Sequence, residues 1–265
     1  MRAAPSFRKD DPAAPPGFFA AEAAGLAWLA KATAQGGVRV VPVLDSGPHH
    51  ITLPRLTPVA PSRAQAQEFG RRLAVTHRSG APRHGAPPPG RAASGFIATL
   101  PLPHDLSGDP ADGLPWGRFY ARLRLAPFAR AARDAGTLSP GRAAVIDRVC
   151  ARLEDGDEDL TGRSEPVARL HGDLWSGNVV WTGDGGVLID PAAHGGHRET
   201  DLAMLALFGL PHLDDVIAAY DEADPLAPGH RERIGLHQLH PLLVHTVLFG
   251  GSYAAQAASV AARYA

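Results

Sequence analysis

The amino-acid sequence predicts an α+β fold in two unequal lobes, with residues 1–57 in a small N-terminal lobe and residues 58–265 in a mainly helical C-terminal lobe. Two observations lead to this prediction. Helix-like and strand-like patterns are mixed in the first 57 residues, whereas helical periodicity dominates from Ser62 onward and is interrupted by one hairpin pattern. With 265 residues, the chain is long enough to bury a substantial core in one large domain or two lobes.

Three short patterns define the small lobe. Residues 22–30 have helical spacing, with their leucines on one face. Residues 38–44 and 51–56 have the composition of strands, and the segment Asp-Ser-Gly-Pro at 45–48 has that of a turn between them. We therefore expect one helix and two strands in this lobe.

The first helix of the large lobe is predicted to begin at Ser62. Gln65 lies three residues later, which is the spacing of a capping box, where side chains and backbone exchange hydrogen bonds. Phe69, Leu73 and His77 recur at intervals of four residues and should face the interior.

Farther along, residues 80–116 are rich in Gly and Pro, and we expect a long loop that is functional or disordered. A helix start is predicted at Ser139-Pro140, ahead of an apolar stripe. Residues 179–190 contain two apolar strands around a Gly/Asp turn. Helices are then expected over three segments, 201–208, 211–220 and 230–249.

Composition excludes some classes of partner. The formal net charge is −1, so no global positive field would recruit nucleic acid or an anionic membrane. No apolar stretch approaches the length that spans a bilayer, and the N-terminus lacks the apolar segment of a signal peptide. The single cysteine, Cys150, cannot form an internal disulfide, which fits a reducing compartment. We expect a cytoplasmic protein that binds neither nucleic acid nor membrane; no pattern predicts its oligomeric state.

Three polar residues around the predicted hairpin carry the candidate chemistry. Asp173 and Asn178 are separated by four residues, the spacing found in the catalytic loop of kinases. Asp190 ends the second strand of the hairpin and should point back toward that loop. Carboxylate and amide oxygens bind Mg²⁺, and a carboxylate can accept the proton of a hydroxyl. Each residue alone could equally cap a turn or end a strand, but together they predict a phosphoryl-transfer site.

These residues also lie in motifs of a known family. The segment His171–Asn178 resembles the His-Gly-Asp-Leu-Trp-x-Gly-Asn signature of the fructosamine (ketosamine) kinases, a group of aminoglycoside-phosphotransferase-like kinases. Residues 189–192 and 196–204 resemble the metal-binding strand end and the following helix of that family, and residues 238–245 and 248–253 resemble its tail. The resemblance implies a two-lobed protein-kinase-like fold. It also implies ATP- and Mg²⁺-dependent phosphorylation of a sugar hydroxyl on a free or protein-linked ketosamine, a reaction that repairs glycation.

The resemblance assigns a role to each residue of the loop. Asp173 would be the catalytic base, and Asn178 and Asp190 would hold Mg²⁺. Trp175 would stack on the ketosamine, with packing under the loop as the alternative. His197 would contact substrate or phosphate, with a solvated loop position as the alternative.

Two further polar residues are expected to support the loop rather than to react. Asp201 should brace the catalytic loop by hydrogen bonds, since a carboxylate on a helix often holds a neighbouring loop in place. His171 is expected to be a structural residue of the loop itself.

The N-terminal lobe resembles the nucleotide-binding part of the same family. Lys9 would contact the α- and β-phosphates of ATP and Glu22 would hold it in place, with a solvated surface lysine as the alternative. Leu53 and Leu56 lie in the strand that would meet adenine through backbone groups. Only eight residues precede Lys9, where related kinases have two strands and a phosphate-covering loop. A shortened N-terminal β lobe and weak ATP binding are therefore expected.

Two other functions stay open at this point. The same chemistry could act on an aminoglycoside, a choline-like alcohol or another metabolite, because fold and motif do not discriminate among these acceptors. The chain could also be a non-catalytic module that binds a sugar-amine, as the shortened lobe would allow.

Overall fold

The N-terminal part of the protein is a three-stranded antiparallel sheet beside one long helix. The computed structural model describes residues 5–91, 95–107, 109 and 112–265. Its first sheet has the order β1-β4-β3, formed by β1 (Ser6–Asp10), β3 (Asp45–Gly47) and β4 (His50–Pro54). Helix α1 (Phe18–Thr33) packs on this sheet through a cluster of buried apolar residues that includes Phe19, Leu26 and Ile51.

Three predictions for this part need correction. Helix α1 begins at Phe18, four residues before the predicted start, and follows Gly17 in the left-handed region at φ 85°. The strand predicted over 38–44 is limited to β2 (Arg39–Val40), which pairs in parallel with a strand of the later hairpin. Pro42 follows at once and has no N–H to extend the ladder. The predicted turn at 45–48 is mostly strand β3, because the chain reverses at Pro48-His49 instead.

The rest of the chain is mainly helical, as the sequence predicts. Helix α2 (Arg63–Arg78) begins after Ser62 with the expected capping box, since Ser62 Oγ accepts from the Gln65 N–H and the Gln65 side chain accepts from the Ser62 N–H. Six further helices of eight or more residues among the described residues are α4 (Ala126–Asp134), α5 (Pro140–Asp155), α7 (Glu199–Phe208), α8 (Leu213–Ala223), α9 (His230–Phe249) and α10 (Ser252–Ala261).

The predicted loop at 80–116 contains structure that its composition does not reveal. A hairpin of β5 (Gly95–Ile97) and β6 (Leu100–Leu102) lies within it, and positions 92–94, 108 and 110–111 are outside the described residues. The short helix α3 (Trp116–Phe119) follows and continues through a π-helical turn over Tyr120–Leu125 into α4. The strands were missed because each is only three residues long and too short for a periodic signal.

Four short strands place the polar loop of the sequence motif. The predicted hairpin is confirmed as β8 (Val179–Thr182) and β9 (Gly185–Leu188). Strand β7 (Ala168–Leu170) pairs antiparallel with β10 (His194–Gly196), and the short helix α6 (Glu158–Thr161) precedes β7. Residues 171–178 therefore connect two strand pairs, which fixes both ends of the loop. In the described part of the chain, no helix is both long and apolar enough to cross a membrane.

Candidate active site

The polar loop is held by a sharp backbone turn at its start. Gly172 has φ 81°, and a Cβ placed on it would lie 2.2 Å from the carbonyl oxygen of Ala192. Only glycine fits this position without strain, because other residues rarely adopt positive φ and a contact of that length is repulsive. The motif requires Gly here so that Asp173, the next residue, can face the cleft.

A buried carboxylate braces the same turn. Asp201, on α7, is 1% exposed and accepts hydrogen bonds from the N–H groups of His171 (2.8 Å) and Gly172 (3.0 Å). His77 Nε2 lies 3.2 Å from the same carboxylate. Burial opposes ionisation, but the bond from His77 and the backbone donors hold the pKa of Asp201 below its ordinary value. This geometry matches the bracing role predicted from the sequence.

His171 has the structural role that the sequence analysis favours. Its Nε2 lies 2.8 Å from the carbonyl oxygen of Ile189, and its Nδ1 accepts the N–H of Asp173 at 3.2 Å. The histidine thus joins the loop to the segment after β9 that carries Asp190, which lies two residues beyond the strand end at Leu188 rather than on the strand as predicted. Burial lowers the pKa of His171, so its ring is neutral and can both donate and accept.

Asp173, Asn178 and Asp190 converge, as their spacing predicts. Asn178 Nδ2 donates to the carbonyl oxygen of Asp173 at 2.8 Å, to Asp173 Oδ2 at 3.0 Å and to the carbonyl oxygen of Asp190 at 3.4 Å. Asp190 has φ 53°, an uncommon value for a residue with a side chain, and such positions are concentrated at functional sites. The hairpin therefore brings all three polar groups to one place.

The ionisation of Asp173 suits a base. Burial raises the pKa of Asp173 to about 7; the charges of Asp190 and Asp201 add to this effect and the Asn178 hydrogen bond opposes it. A carboxylate with a pKa near the working pH combines a useful ionised fraction with a strong tendency to take up a proton.

Lys9 and Glu22 form the ion pair expected of a nucleotide site. Lys9 Nζ donates to Glu22 Oε1 at 2.8 Å, and it also contacts Asp190 Oδ1. Burial opposes the charge on this lysine, but Glu22 and Asp190 together raise its pKa above the ordinary value. The lysine is therefore a fixed cation beside Asp190 rather than a solvated surface charge.

One cavity of about 450 Å³ contains these groups. Lys9, Glu22, Asp173, Asn178 and Asp190 all line it. Asn178 directs its Nδ2 to backbone oxygens. With the amide in this orientation, its Oδ1 can accept a hydrogen bond or coordinate a metal ion. An amide oxygen and a carboxylate on the wall of one cavity are hard oxygen donors, which is the donor set that Mg²⁺ prefers. The residues present therefore fit a magnesium ion held by Asn178 and Asp190.

Asp173 also lines a second cavity, of about 340 Å³. Asp173 and Trp175 line both cavities, and the second is otherwise lined by apolar and aromatic side chains that include Phe208, His245 and Phe249. Trp175 is 38% exposed, and its ring meets that of Phe208 edge-on at a centroid distance of 6.3 Å. Trp175 thus borders the cavity with part of its ring exposed, while the same ring lies against Gly177 of the loop. Stacking of Trp175 on the ketosamine stays a prediction.

The structure does not bring His197 to this site. His197 is buried, its ring centroid lies 5.1 Å from that of Trp116 and 4.9 Å from that of His237, and its Nε2 is 3.7 Å from Glu165. It lines a separate cavity that lacks Asp173. The prediction of a substrate contact therefore needs correction. The segment between β10 and α7 turns His197 toward α9, where its ring packs against Trp116 and His237.

Leu53 and Leu56 also lie apart from the cavity that contains Lys9. The Leu53 side chain is buried in the apolar cluster beneath the first sheet, and Leu56 packs against the same cluster. Neither side chain lines the cavity of about 450 Å³. The expectation that backbone groups of this strand meet adenine stays a prediction.

Several residues of the site were missed by sequence reasoning. Phe208, His245, Phe249 and Tyr253 line the second cavity together with Trp175. His245 and Phe249 are four residues apart and share one face of α9, whereas Tyr253 belongs to α10, beyond the break at Gly250 and Gly251. The spacing of His245 and Phe249 is the signal that could have found those two residues.

Comparison with known proteins now identifies the family. The family model described as fructosamine kinase matches residues 2–264. The chain belongs to the fructosamine kinase family. One solved structure, described as a fructosamine-3-kinase from Thermobifida fusca, is 44% identical in sequence to this chain. The match covers 98% of this chain and 85% of that chain, with a TM-score of 0.86. The predicted kinase-like fold is therefore confirmed.

Curated relatives extend this comparison. A probable ketoamine kinase from Thermus thermophilus is 32% identical over 241 residues, which cover 90% of this chain and 79% of the relative. A probable ketoamine kinase from Synechocystis is 35% identical over 194 residues, and the match covers 71% of this chain and 58% of the relative. The chain thus spans somewhat more than half the length of the Synechocystis protein. A gentamicin-bound aminoglycoside phosphotransferase is 10% identical with a TM-score of 0.60, which shows a shared fold alone.

Proposed function

We propose that this member of the fructosamine kinase family transfers the γ-phosphoryl group of ATP to a sugar hydroxyl of a ketosamine, with Mg²⁺ as cofactor. The observation that supports this most is the position of Asp173 on the wall shared by two cavities. One cavity carries the cation and the oxygen donors that suit a nucleotide with its metal, and the other is an acceptor cavity. The phosphoryl group must move from the first cavity to the second, and Asp173 lies where the two meet.

Asp173 would accept the proton of the acceptor hydroxyl. Its pKa of about 7 follows from burial, and Asn178 holds the carboxylate in place through Oδ2. Since phosphoryl transfer depends mainly on positioning and charge neutralisation, a fixed base beside the acceptor is the main task of the loop. The brace from Asp201 would serve that task by fixing the preceding backbone.

Lys9 would bind the phosphates, with Glu22 orienting its ammonium group. Mg²⁺, held by Asn178 and Asp190, would neutralise charge on the phosphates. The contact between Lys9 and Asp190 indicates that the lysine already lies beside the metal ligand, so nucleotide binding would exchange part of this ion pair for phosphate contacts.

The acceptor cavity favours a ketosamine over an aminoglycoside. Among the described residues that line it, Asp173 is the only Asp, Glu, Lys or Arg. An aminoglycoside carries several ammonium groups, and burying them requires several carboxylates. The names of the curated relatives, ketoamine kinases and a protein-ribulosamine 3-kinase from Arabidopsis, agree with this choice of acceptor.

The proposal is tested by measuring ADP formation from ATP with a fructosyl-amine, an aminoglycoside or choline as the acceptor. We expect turnover with the fructosyl-amine that exceeds the other two, loss of turnover when the metal is chelated, and recovery when Mg²⁺ is restored. Turnover that prefers the aminoglycoside or choline would overturn the ketosamine assignment. Failure to bind ATP with Mg²⁺ would instead favour a non-catalytic binding module.

A further inference from the structure

The acceptor cavity is bounded by a continuous series of aromatic rings. From the Asp173 side outward, centroid distances are 6.3 Å from Trp175 to Phe208 and 4.8 Å from Phe208 to His245. His245 then lies 5.5 Å from Phe249 and 4.9 Å from Tyr253. We call these residues the aromatic wall: Trp175, Phe208, His245, Phe249 and Tyr253.

The outer end of the aromatic wall is exposed. Phe249 is 67% exposed, more than any other large apolar side chain among the described residues. It ends α9, where Gly250 and Gly251 follow with φ values of 62° and 60°. An aromatic ring held in solvent at the mouth of a cavity costs free energy unless a ligand covers it. The wall therefore ends in an exposed aromatic ring at Phe249.

The chemistry of the wall identifies which part of the substrate it contacts. The sugar hydroxyl must reach Asp173, so the amine end of the ketosamine extends away from that residue. Aromatic faces attract an ammonium group and apolar substituents, whereas they offer no partner for a carboxylate. His245 Nδ1 lies 2.8 Å from the carbonyl oxygen of Pro241, and the His245 ring faces the neighbouring aromatic rings.

We propose that the aromatic wall selects ketosamines whose amine carries an apolar or aromatic substituent, and that Phe249 is the residue that covers this substituent. This inference rests on the proposed kinase function and deepens it by naming the preferred acceptor. A substituent with a carboxylate would exchange part of its hydration for contact with aromatic faces, which is unfavourable for a charged group.

The test compares kcat/KM for two fructosyl-amines, one made from benzylamine and one from glycine. In the wild-type protein we expect the benzylamine adduct to be favoured by about tenfold or more, which is the discrimination typical of an apolar pocket. In Phe249→Ala this ratio should fall by about the same factor. Val59→Ala is the matched control, because Val59 is an exposed apolar residue (44%) whose backbone bonds to Trp181 and which lines neither cavity.

The outcomes separate this inference from the function on which it rests. Turnover of both adducts with equal efficiency, or an unchanged ratio in Phe249→Ala, would overturn the role of the wall and leave the kinase proposal intact. Turnover of neither adduct, with ATP bound, would overturn both. The ratio of the two kcat/KM values should fall less in Phe249→Leu than in Phe249→Ala. That result would support a packing contact that depends on the size of the side chain.

Discussion

Replacing Asp201 by asparagine should both destabilise the protein and impair the loop that it braces. In the wild-type protein the two carboxylate oxygens accept two backbone N–H groups, from His171 and Gly172, at 2.8 and 3.0 Å. Asparagine keeps one acceptor oxygen and replaces the other by an NH₂ group, which would face an N–H donor. At 1% exposure, water cannot replace the lost acceptor.

The size of this effect follows from the bonds that are lost. A hydrogen bond to a charged group contributes about 1.5–3 kcal/mol, and leaving a buried N–H without an acceptor costs about 1–3 kcal/mol. We therefore expect Asp201→Asn to lower the free energy of unfolding by about 3 kcal/mol. For a chain of this size that corresponds to a Tm lower by about 6–12 °C.

Thermal and denaturant unfolding measure this loss directly. Asp215→Asn is the matched control, because Asp215 pairs with the exposed Arg63 at 2.6 Å, and a surface pair of this kind contributes about 1 kcal/mol or less. We expect turnover of Asp201→Asn to fall with little change in the KM for ATP. If Asp201→Asn and Asp215→Asn unfold at the same temperature, the bracing argument is refuted.

Two further predictions concern backbone strain and acid stability. Gly172→Ala should destabilise the protein by about 3 kcal/mol, since its Cβ would collide with the Ala192 carbonyl at positive φ, whereas Gly141→Ala, in a helix with open space, should be neutral or stabilising. Burial lowers the pKa of His84 to about 4 and of His240 to about 3. Only the unfolded chain takes up these protons near pH 6.5, so stability is complete above that pH and falls below it, by about 2 kcal/mol for each histidine between pH 7 and pH 5. Denaturant unfolding at the two pH values checks this.

Two results would contradict these predictions. Equal stability of Gly172→Ala and the wild-type protein would show that the turn can relax. A free energy of unfolding that does not change between pH 7 and pH 5 would mean that the buried histidines are protonated in the folded state. Replacing His240 by Gln should remove about 2 kcal/mol of the pH-dependent loss, which assigns the effect to that residue.

The sequence predicted those parts of the site that depend on local spacing. Asp173, Asn178 and Asp190 lie within 18 positions and are joined by a two-strand hairpin, so their convergence follows from strand geometry. The Lys9–Glu22 pair was found through resemblance, because nothing in the local pattern relates a strand residue to a helix residue 13 positions later.

Other parts depend on long-range packing that the sequence does not encode locally. His197 looked like a site residue because it follows the motif, yet tertiary contacts with Trp116 and His237 turn it away from the cleft. Strand β2 pairs with β9 across nearly 150 residues, so the hydrogen-bond partner of Val40 could not be read from its neighbours. The aromatic wall likewise combines residues of the loop after β7 with residues of α7, α9 and α10.

The central claim is that Asp173 is the base for transfer of a phosphoryl group from ATP to a ketosamine. Mass spectrometry of the fructosyl-amine after incubation with ATP and Mg²⁺ tests it most directly. The wild-type protein and Asp184→Asn, whose carboxylate is 84% exposed in the hairpin turn, should give the phosphorylated adduct. Asp173→Asn should form it about 10²- to 10⁴-fold more slowly, the range lost when a general base is removed. Equal product from Asp173→Asn and Asp184→Asn would contradict the account.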